Sequence, residues 1–507
     1  MSKSEQNSPN KDHFLYSFLN PKSIAIFGAN NNLLSTMGSM QLRNIRAGKG
    51  VEEIYPVHPR LEKVQGFKAY KSVFDIPVVP EFAFIILPPK AVIEVMEECG
   101  QKGIKHLLIT SGGFREIGPE GIELSNKLDQ LAHKYNIRFI GPNCLGIYNA
   151  WYRYPEKKDV FINTFWPYII PRRGNISLIS QSGTIAAQTF WHAKEIGAKI
   201  SKSISVGNER NIDLVDFLEY FKDDNQTQVI GLYIEEIKRG REFIKVAKEL
   251  SLKKPIVAMY AGGTQAASRS IMSHTGSLGA NEKIIQAVFE SCGIISTNSI
   301  IDFLHYLRTF SFAQEFNVFP KGKKVGIVTD SGGSGSMMAK TAELYGLKMP
   351  MFTQNLKTIL FEIIPPTASA NNPIDVTFDV NFVNLLYKLP KIVMKSGEVD
   401  AVIVYGVFDF DEVLDTMEQS GMVIDEKMKG INMMIERAVL SPIKHLMKKY
   451  SIPVYFSGPF LYKYPWFQKF LSHDIPIFEL WDLPTKCLKI LYNYTQYRKD
   501  RLENLNK

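Results

Sequence analysis

Three short stretches of the chain carry residues whose types and spacing suit the handling of a phosphoryl group. The first is Ser273-His274-Thr275-Gly276-Ser277-Leu278, a single imidazole among small and hydroxylated residues, behind the apolar run Ile256–Tyr260. An imidazole has an ordinary pKa of about 6.5, so near neutral pH much of it is uncharged and nucleophilic. A mobile loop with one such nucleophile suits a group that accepts a cargo and carries it. A plain solvated histidine gives the same local pattern, so the remaining residues must separate the two. The second stretch is Ser180-Gln181-Ser182-Gly183-Thr184, which follows the apolar run Ile176–Ile179 and opens a helical segment. Hydroxyls and amide hydrogens at a helix start form a cradle for phosphate, with Ser180, Ser182, Gly183 and Thr184 as its candidate residues; an ordinary N-cap is the alternative. The third is Glu235, at the carboxyl end of the apolar run Val229–Ile234, expected beside the strand that leads to His274. A carboxylate there would hold one imidazole N–H, fix the tautomer and leave the other nitrogen to attack. Glu236 is the rival by adjacency.

Such residues need strands to present them. Three segments repeat an apolar strand, a turn rich in Gly, Ser or Asn, and a helical stretch: Ser23–Asn30, Asn175–Thr184 and Lys324–Gly333. The pattern predicts an α/β protein of three tandem domains, each a doubly wound parallel sheet. The expected boundaries are a polar N-terminal tail over 1–19, a first domain over 20–150 and an aromatic, basic connector over 151–174. A second domain with the histidine loop follows over 175–310, then a linker over 311–320 and a third domain over 321–507. Ligands of open α/β sheets bind beyond the carboxyl ends of the strands. In the first domain those tips carry Gly28-Ala29-Asn30, Val57-His58-Pro59-Arg60, Pro88, Ser111-Gly112-Gly113 and Gly141-Pro142-Asn143. Glycines there let backbone amides approach a phosphate, and Arg60 supplies a fixed positive charge. No GxGxxG is present, which disfavours a standard dinucleotide site. The connector (Trp151, Tyr152, Tyr154, Phe161, Phe165, Trp166, Tyr168) reads as packing against its neighbours or a partner subunit rather than as a nucleic-acid surface. The Lys-rich segment 488–507 reads as a solvated helical end.

Composition narrows the classes. At 507 residues the chain suggests about three domains, and 45% hydrophobic with 22% charged residues is ordinary for a globular protein. The +9 formal charge is spread along the chain, which points away from nucleic acid and is compatible with anionic ligands. Four widely separated cysteines imply neither a zinc site nor a disulfide framework, and no metal site is expected. The polar start carries no secretory signal and no run approaches the ~18–20 apolar residues of a membrane helix. The expected location is the cytoplasm.

Six segments in order resemble one family: Leu19–Ala29, Ile54–Arg60, Ser111–Glu116, Gly141–Gly146, Ile179–Gly183 and Ser273–Leu278. The chain resembles the α-subunit of ADP-forming acyl-CoA synthetases (acetate–CoA ligase, ADP-forming), in the succinyl-CoA synthetase superfamily. The resemblance implies a Rossmann-like CoA-binding domain followed by two flavodoxin-like ligase domains. It implies that His274 is phosphorylated, that Glu235 steadies the phosphohistidine, and that Ser182-Gly183-Thr184 hold phosphate. Gly28, Asn30, Arg60, Ser111 and Asn143 fall where the family holds coenzyme A, and Ala29, Val57 and Pro88, at the same strand tips, are expected to join them in binding it. The chain has no Walker A sequence and no kinase motif set. The resemblance therefore implies a separate ATP-grasp β-subunit that binds ADP or ATP with Mg²⁺, in a hetero-oligomer converting acyl-CoA, ADP and phosphate to carboxylic acid, CoA and ATP. The loop Asn30–Ser35 and the turn Asp330–Gly335 depart from the family pattern. A non-catalytic CoA sensor or scaffold is the alternative; a nicotinamide-dependent oxidoreductase lacks its glycine pattern.

Overall fold

The structure is a computed structural model that describes residues 11–33, 36–167, 172–275, 280–377, 381–424 and 430–505, without the side chains of 270, 273–275 and 431. It divides into two compact units, Met1–Ala193 with Lys199–Phe303, and Lys194–Ala198 with Leu304–Lys507.

The first unit holds two sheets. Strands β1 (Ser23–Phe27), β2 (Glu53–Val57), β5 (Phe82–Ile85), β6 (His106–Ile109) and β7 (Arg138–Ile140) form the first, in the order β2-β1-β5-β6-β7. All of its pairings are parallel. A small ribbon, β3 (Lys63–Val64) and β4 (Phe67–Lys68), stands apart from it. The β1 and β5 residues are all buried, as expected of strands covered on both faces. Helix α1 (Leu15–Leu19) precedes the sheet, α2 (Met37–Ala47) follows β1, and α3 (Pro89–Lys102) and α4 (Pro119–Tyr135) follow β5 and β6. Helix α3 ends on Gly103 at φ +97°, a left-handed cap that glycine adopts without a Cβ clash.

The expectation of a polar tail through residue 19 is overturned by α1. Leu15, Phe18 and Leu19 are fully buried, because their i, i+3, i+4 spacing puts all three on one face of a helix too short to show a period.

The second sheet has the order β14-β13-β12-β10-β11-β8-β9. Its parallel part is β10 (Ile176–Ser180), β11 (Ile200–Ser205), β12 (Val229–Ile234), β13 (Ile256–Tyr260) and β14 (Ile295–Ser296). Strands β8 (Ile147–Asn149) and β9 (Ile162–Asn163) extend it antiparallel beyond β11. Ile147–Asn149, assigned from sequence to the end of the first domain, thus pairs in the second sheet, and so does part of the connector. Tyr152, Phe161 and Phe165 are buried, and Asn44 of α2 donates to the carbonyls of Phe165 (2.7 Å) and Trp166 (2.9 Å). The helices are α5 (Gly183–Glu195), α6 (Leu214–Lys222), α7 (Gly240–Leu250), α8 (Gln265–Thr275) and α9 (Glu282–Cys292), and α10 (Ile300–Phe316) begins in this unit and belongs from Leu304 to the second. The expected linker 311–320 is helical through Phe316, with Phe312 and Ala313 buried.

The second unit holds the third sheet, parallel throughout, in the order β16-β15-β17-β18-β19. Its strands are β15 (Val325–Thr329), β16 (Ile374–Asp375), β17 (Ala401–Tyr405), β18 (Val454–Ser457) and β19 (Ile477–Phe478), and α11 (Gly332–Leu344) follows β15. The terminal helix Asp482–Leu505 is not a wholly solvated end: Cys487, Leu488, Leu491 and Tyr494 are buried.

Each parallel array has its first strand inside, its second on one side and its third, fourth and fifth on the other. In every case the chain reverses direction across the sheet between the first and third strands of the array, and beyond that point such sheets take their ligands. Among the described residues no helix is long and apolar enough to cross a membrane.

Candidate functional site

In the second sheet the reversal lies between β10 and β12, whose paired tips are Ser180 and Tyr233. The chain leaves β10 through Gln181-Ser182 and enters α5 at Gly183. The Ser180 hydroxyl is buried and donates to the Ser182 carbonyl at 2.6 Å, so it braces the corner from within. That corrects its expected place in an outward-facing phosphate cradle. The Ser182 hydroxyl accepts from the Ile185 amide at 3.4 Å, while Thr184 is exposed. Gly183 is required by a close approach: a Cβ there would stand 2.5 Å from Leu145 Cγ. The amide hydrogens of Gly183 and Thr184 lie in the first turn, where no intrahelical carbonyl precedes them.

Glu235 directly follows β12 and is buried. Its backbone amide donates to Gln181 Oε1, as does the Glu236 amide at 2.9 Å. Gln181 Nε2 in turn donates to the Glu236 carbonyl at 2.7 Å and to Glu209 Oε2 at 2.8 Å. Burial pushes the Glu209 carboxyl up to about 8, with Lys238 opposing and Asp213 assisting. Lys238 Nζ donates to the carbonyls of Asn208 (2.6 Å) and Glu209 (2.8 Å), and burial pushes its pKa down.

Strand β13 lies parallel beside β12 and leads into α8. The segment before His274, expected as a loop, is helical from Gln265 through Thr275. Thr264 starts it, accepting from Ala267 N at 3.1 Å on its hydroxyl and from Ser268 N at 2.8 Å on its carbonyl. The backbone of His274 lies in α8; its side chain and residues 276–279 lie outside the described residues. Helix α8 packs against the turn Arg115–Ile117 of the first domain. A cavity of about 460 Å³ opens between the starts of α8 and α9, lined in part by Gly263, Thr264, Arg269 and Asn281.

The first-sheet tips gather at their own carboxyl edge. Gly28 has φ +90°, and a Cβ there would lie 2.0 Å from the Ile86 carbonyl oxygen, so only glycine fits. Ala29 is buried, and Val57 is buried at the end of β2. Asn30 is turned into its own loop, its Oδ1 accepting from Asn32 N (2.8 Å) and Ser39 Oγ (3.2 Å). Ser111 joins two tips: its hydroxyl accepts from Leu87 N (3.0 Å) and its carbonyl from Asn143 N (2.9 Å). Pro88 caps α3 and is exposed. Arg60 is exposed too, and the described residues offer its guanidinium no ion pair. Its amide is held by His58 Nδ1 at 3.2 Å.

Two side chains that the sequence pattern left without a role join the sheets of this unit. Glu116 Oε1 accepts from Gly113 N (2.6 Å) and Phe114 N (3.2 Å), and its Oε2 accepts from Asn208 Nδ2 (2.7 Å). Arg115 Nη2 lies 3.2 Å from Glu236 Oε2. Asn143 Nδ2 also reaches Asn208 Oδ1 at 3.3 Å. Asn143, past the end of β7, thus meets Asn208 of the second domain, and Arg115 of the first domain reaches the Glu236 side chain beyond β12. Among the described residues no group of three or more His, Cys, Asp or Glu side chains could hold a metal.

Over 444 residues the chain is 35% identical to the acetate–CoA ligase [ADP-forming] II subunit alpha of Pyrococcus furiosus, spanning 86% of this chain and 93% of that relative. The chain belongs to the α-subunit family of the ADP-forming acyl-CoA synthetases. Within this family member, residues 22–150 match the CoA binding domain and residues 173–310 match the succinyl-CoA ligase like flavodoxin domain. It is also 37% identical over 73% of its length to the acetate–CoA ligase [ADP-forming] of Methanocaldococcus jannaschii, and spans only 50% of that longer chain. A solved structure of the dinucleotide forming acetyl-coenzyme A synthetase 1 of Ca. Korarchaeum cryptofilum, in complex with phosphate and ADP, superposes with a TM-score of 0.81. It is 28% identical, and the match covers 97% of this synthetase-family chain and 99% of the other. The Rossmann-like and flavodoxin-like architecture expected from the resemblance is what the sheets display.

Proposed function

We propose that this chain is the acyl-transferring half of an ADP-forming acyl-CoA synthetase, acting on acetate or a similar small carboxylic acid. Coenzyme A lies across the first-sheet tips, with Gly28, Ala29 and Asn30 toward its phosphates and Val57, Arg60, Pro88, Ser111 and Asn143 along the rest of the edge. Inorganic phosphate sits at the α5 start against Ser182, Gly183 and Thr184, which Ser180 braces. A phosphate oxygen attacks the thioester carbonyl, the C–S bond breaks, and the CoA thiolate leaves and takes up a proton. A nitrogen of His274 then attacks phosphorus, the acyl–O–P bond breaks and the carboxylate departs. Glu235 accepts the hydrogen on the other ring nitrogen and offsets the positive charge that develops there. The phosphoryl group passes to ADP on a separate ATP-grasp β-subunit, where Mg²⁺ would be bound.

The observation that carries this reading is the placing of Glu235. It is a buried carboxylate at the reversal point of the second sheet, one strand from the strand that leads to His274 and at the same edge as the α5 start. Phosphoryl transfer depends mainly on positioning and charge stabilisation, and these three features supply both. The test is to incubate the purified chain with acetyl-CoA and labelled inorganic phosphate. Label is expected on the wild-type chain and not on His274→Ala. A chain that binds CoA yet takes no label would be a CoA-binding scaffold, and label persisting in His274→Ala would discard the phosphohistidine.

A further inference from the structure

We propose that Gln181 is a positioning residue for the phosphoryl-accepting step: it spans the reversal point of the second sheet and fixes the backbone from which Glu235 presents its carboxylate. The inference rests on the reading of Glu235 as the partner of His274. Nothing in the sequence pattern singled Gln181 out, because it lies between hydroxyl residues that read as a cradle.

The geometry is specific to a primary amide of this length. One oxygen takes the amide hydrogens of two consecutive residues, Glu235 and Glu236, so both peptide units converge on it. The nitrogen has two hydrogens and two acceptors, the Glu236 carbonyl and the Glu209 carboxylate. Turning the amide over would set its nitrogen against two donors and its oxygen against two acceptors, so only one orientation satisfies all four partners. Glu209 is itself oriented, because its other oxygen accepts from Leu214 N at 2.9 Å. Residues 235 and 236 lie past the end of β12, where the ladder no longer holds them. Gln181 takes over that task. Its side chain is spent wholly on protein partners, so it acts through Glu235 and not by touching phosphate. A catalytic carboxylate displaced by about 1 Å can lose about 100-fold in rate.

The experiment uses the full chain with acetyl-CoA and labelled inorganic phosphate. Gln181→Met keeps the length and removes all four hydrogen bonds, whereas Gln181→Glu keeps the shape and the accepting oxygen, and the buried Glu209 carboxyl, which holds its proton near neutral pH, can donate to its second oxygen. The expected result for Gln181→Met is an initial labelling rate lowered about 30- to 100-fold, with the half-saturating acetyl-CoA concentration changed less than about twofold. Gln181→Glu is expected to regain at least about threefold over Gln181→Met, which a mere gap in the packing would not produce. Labelling by folded Gln181→Met within about threefold of the parent, or a loss that tracks CoA affinity, overturns the proposal. If Gln181→Met does not fold, Glu209→Gln decides from the other side. It is expected to slow labelling about fivefold at unchanged CoA affinity, and an unchanged rate overturns the proposal. An unmodified chain without label, or a labelled His274→Ala chain, removes the underlying reading and this one with it.

Discussion

The corner between β10 and α5 in the first unit and the corner between β15 and α11 in the second are built alike, up to one residue. In both, a strand-end hydroxyl donates to the carbonyl two residues on: Ser180 to Ser182 at 2.6 Å, and Thr329 to Ser331 at 3.1 Å. In both, the next serine caps the helix, Ser182 accepting from Ile185 N and Ser331 from Ser334 N, each at 3.4 Å. Between hydroxyl and cap the first corner has Gln181 and the second has Asp330. Gln181 reaches the neighbouring strand tip and matches all its polar atoms. Asp330 lies against the tip that follows β17 but does not match all its own polar atoms. Its Oδ1 is buried without a hydrogen bond among the described residues, and burial, with Asp375 adding, pushes its carboxyl up to about 6. Across from it, a Cβ on Gly406 would stand 2.7 Å from the carboxyl carbon. One side chain thus decides whether the same backbone corner locks a neighbouring tip or holds an acid that protonates easily.

Exchanging that residue breaks the comparison most strongly. Gln181→Asp leaves the Glu235 and Glu236 amide hydrogens unmatched and sets a second acid near Glu209. It is expected to destabilise the first unit by about 3 kcal/mol and to abolish labelling by acetyl-CoA and phosphate, read by denaturant titration and the labelling assay. Tolerance would mean that the corners are interchangeable.

The reverse change tests the acid. The folded pKa of Asp330 lies above its ordinary 3.8, at about 6. Between those values the folded chain holds a proton that the unfolded chain has released. The stabilisation from that proton is complete below about pH 4 and is lost as pH rises through about 6. Asp330→Asn is therefore expected to gain up to about 2 kcal/mol at pH 7.5, discounted for partial exposure, and to gain nothing at pH 4. Hydrogen exchange in β15 and β17 at the two pH values measures it; an equal gain at both would show that the charge is not the cause.

The smallest contrast concerns the glycines that open the helices. A Cβ on Gly183 meets Leu145 Cγ at 2.5 Å, within a packed region, whereas one on Gly332 meets Asp375 Oδ2, the end of a movable side chain, at 2.8 Å. Gly183→Ala is expected to cost about 1–3 kcal/mol and Gly332→Ala less than about 1 kcal/mol, by denaturant midpoint. Equal costs would show that the second corner is packed as tightly as the first.

The strands that carry these corners were legible because Ile176–Ile179, Val229–Ile234 and Val325–Val328 are largely apolar runs, the mark of buried parallel strands, and the first and third lead into turns of Ser, Gly and Asp. The placing of Glu235 beside the strand that leads to His274 follows from such a pattern once adjacent strands are assumed to pair. Gln181, Asn208, Glu209 and Glu116 were not legible as a group. Gln181 and Glu235 are separated by 54 positions, and Asn208 and Glu116 by 92, so only the sheet register and the packing of two domains bring them together. A polar residue in a turn gives no signal of whether it faces solvent or a neighbouring strand end. Likewise α1 was hidden by its length, and the helical run before His274 by its serines, which read as loop although Ala266, Ala267 and Met272 favour helix.

The antiparallel strands β8 and β9 also set where this protein can be cut for laboratory work. Their residues Ile147, Tyr148 and Asn149 cover the outer side of β11 through its Ile204, Ser203 and Lys202. A shortened version beginning at 173, where the flavodoxin-like match starts, would strip that cover and bare a row of amides and carbonyls to any other polypeptide in solution. A version beginning just ahead of Ile147 would keep its own seal.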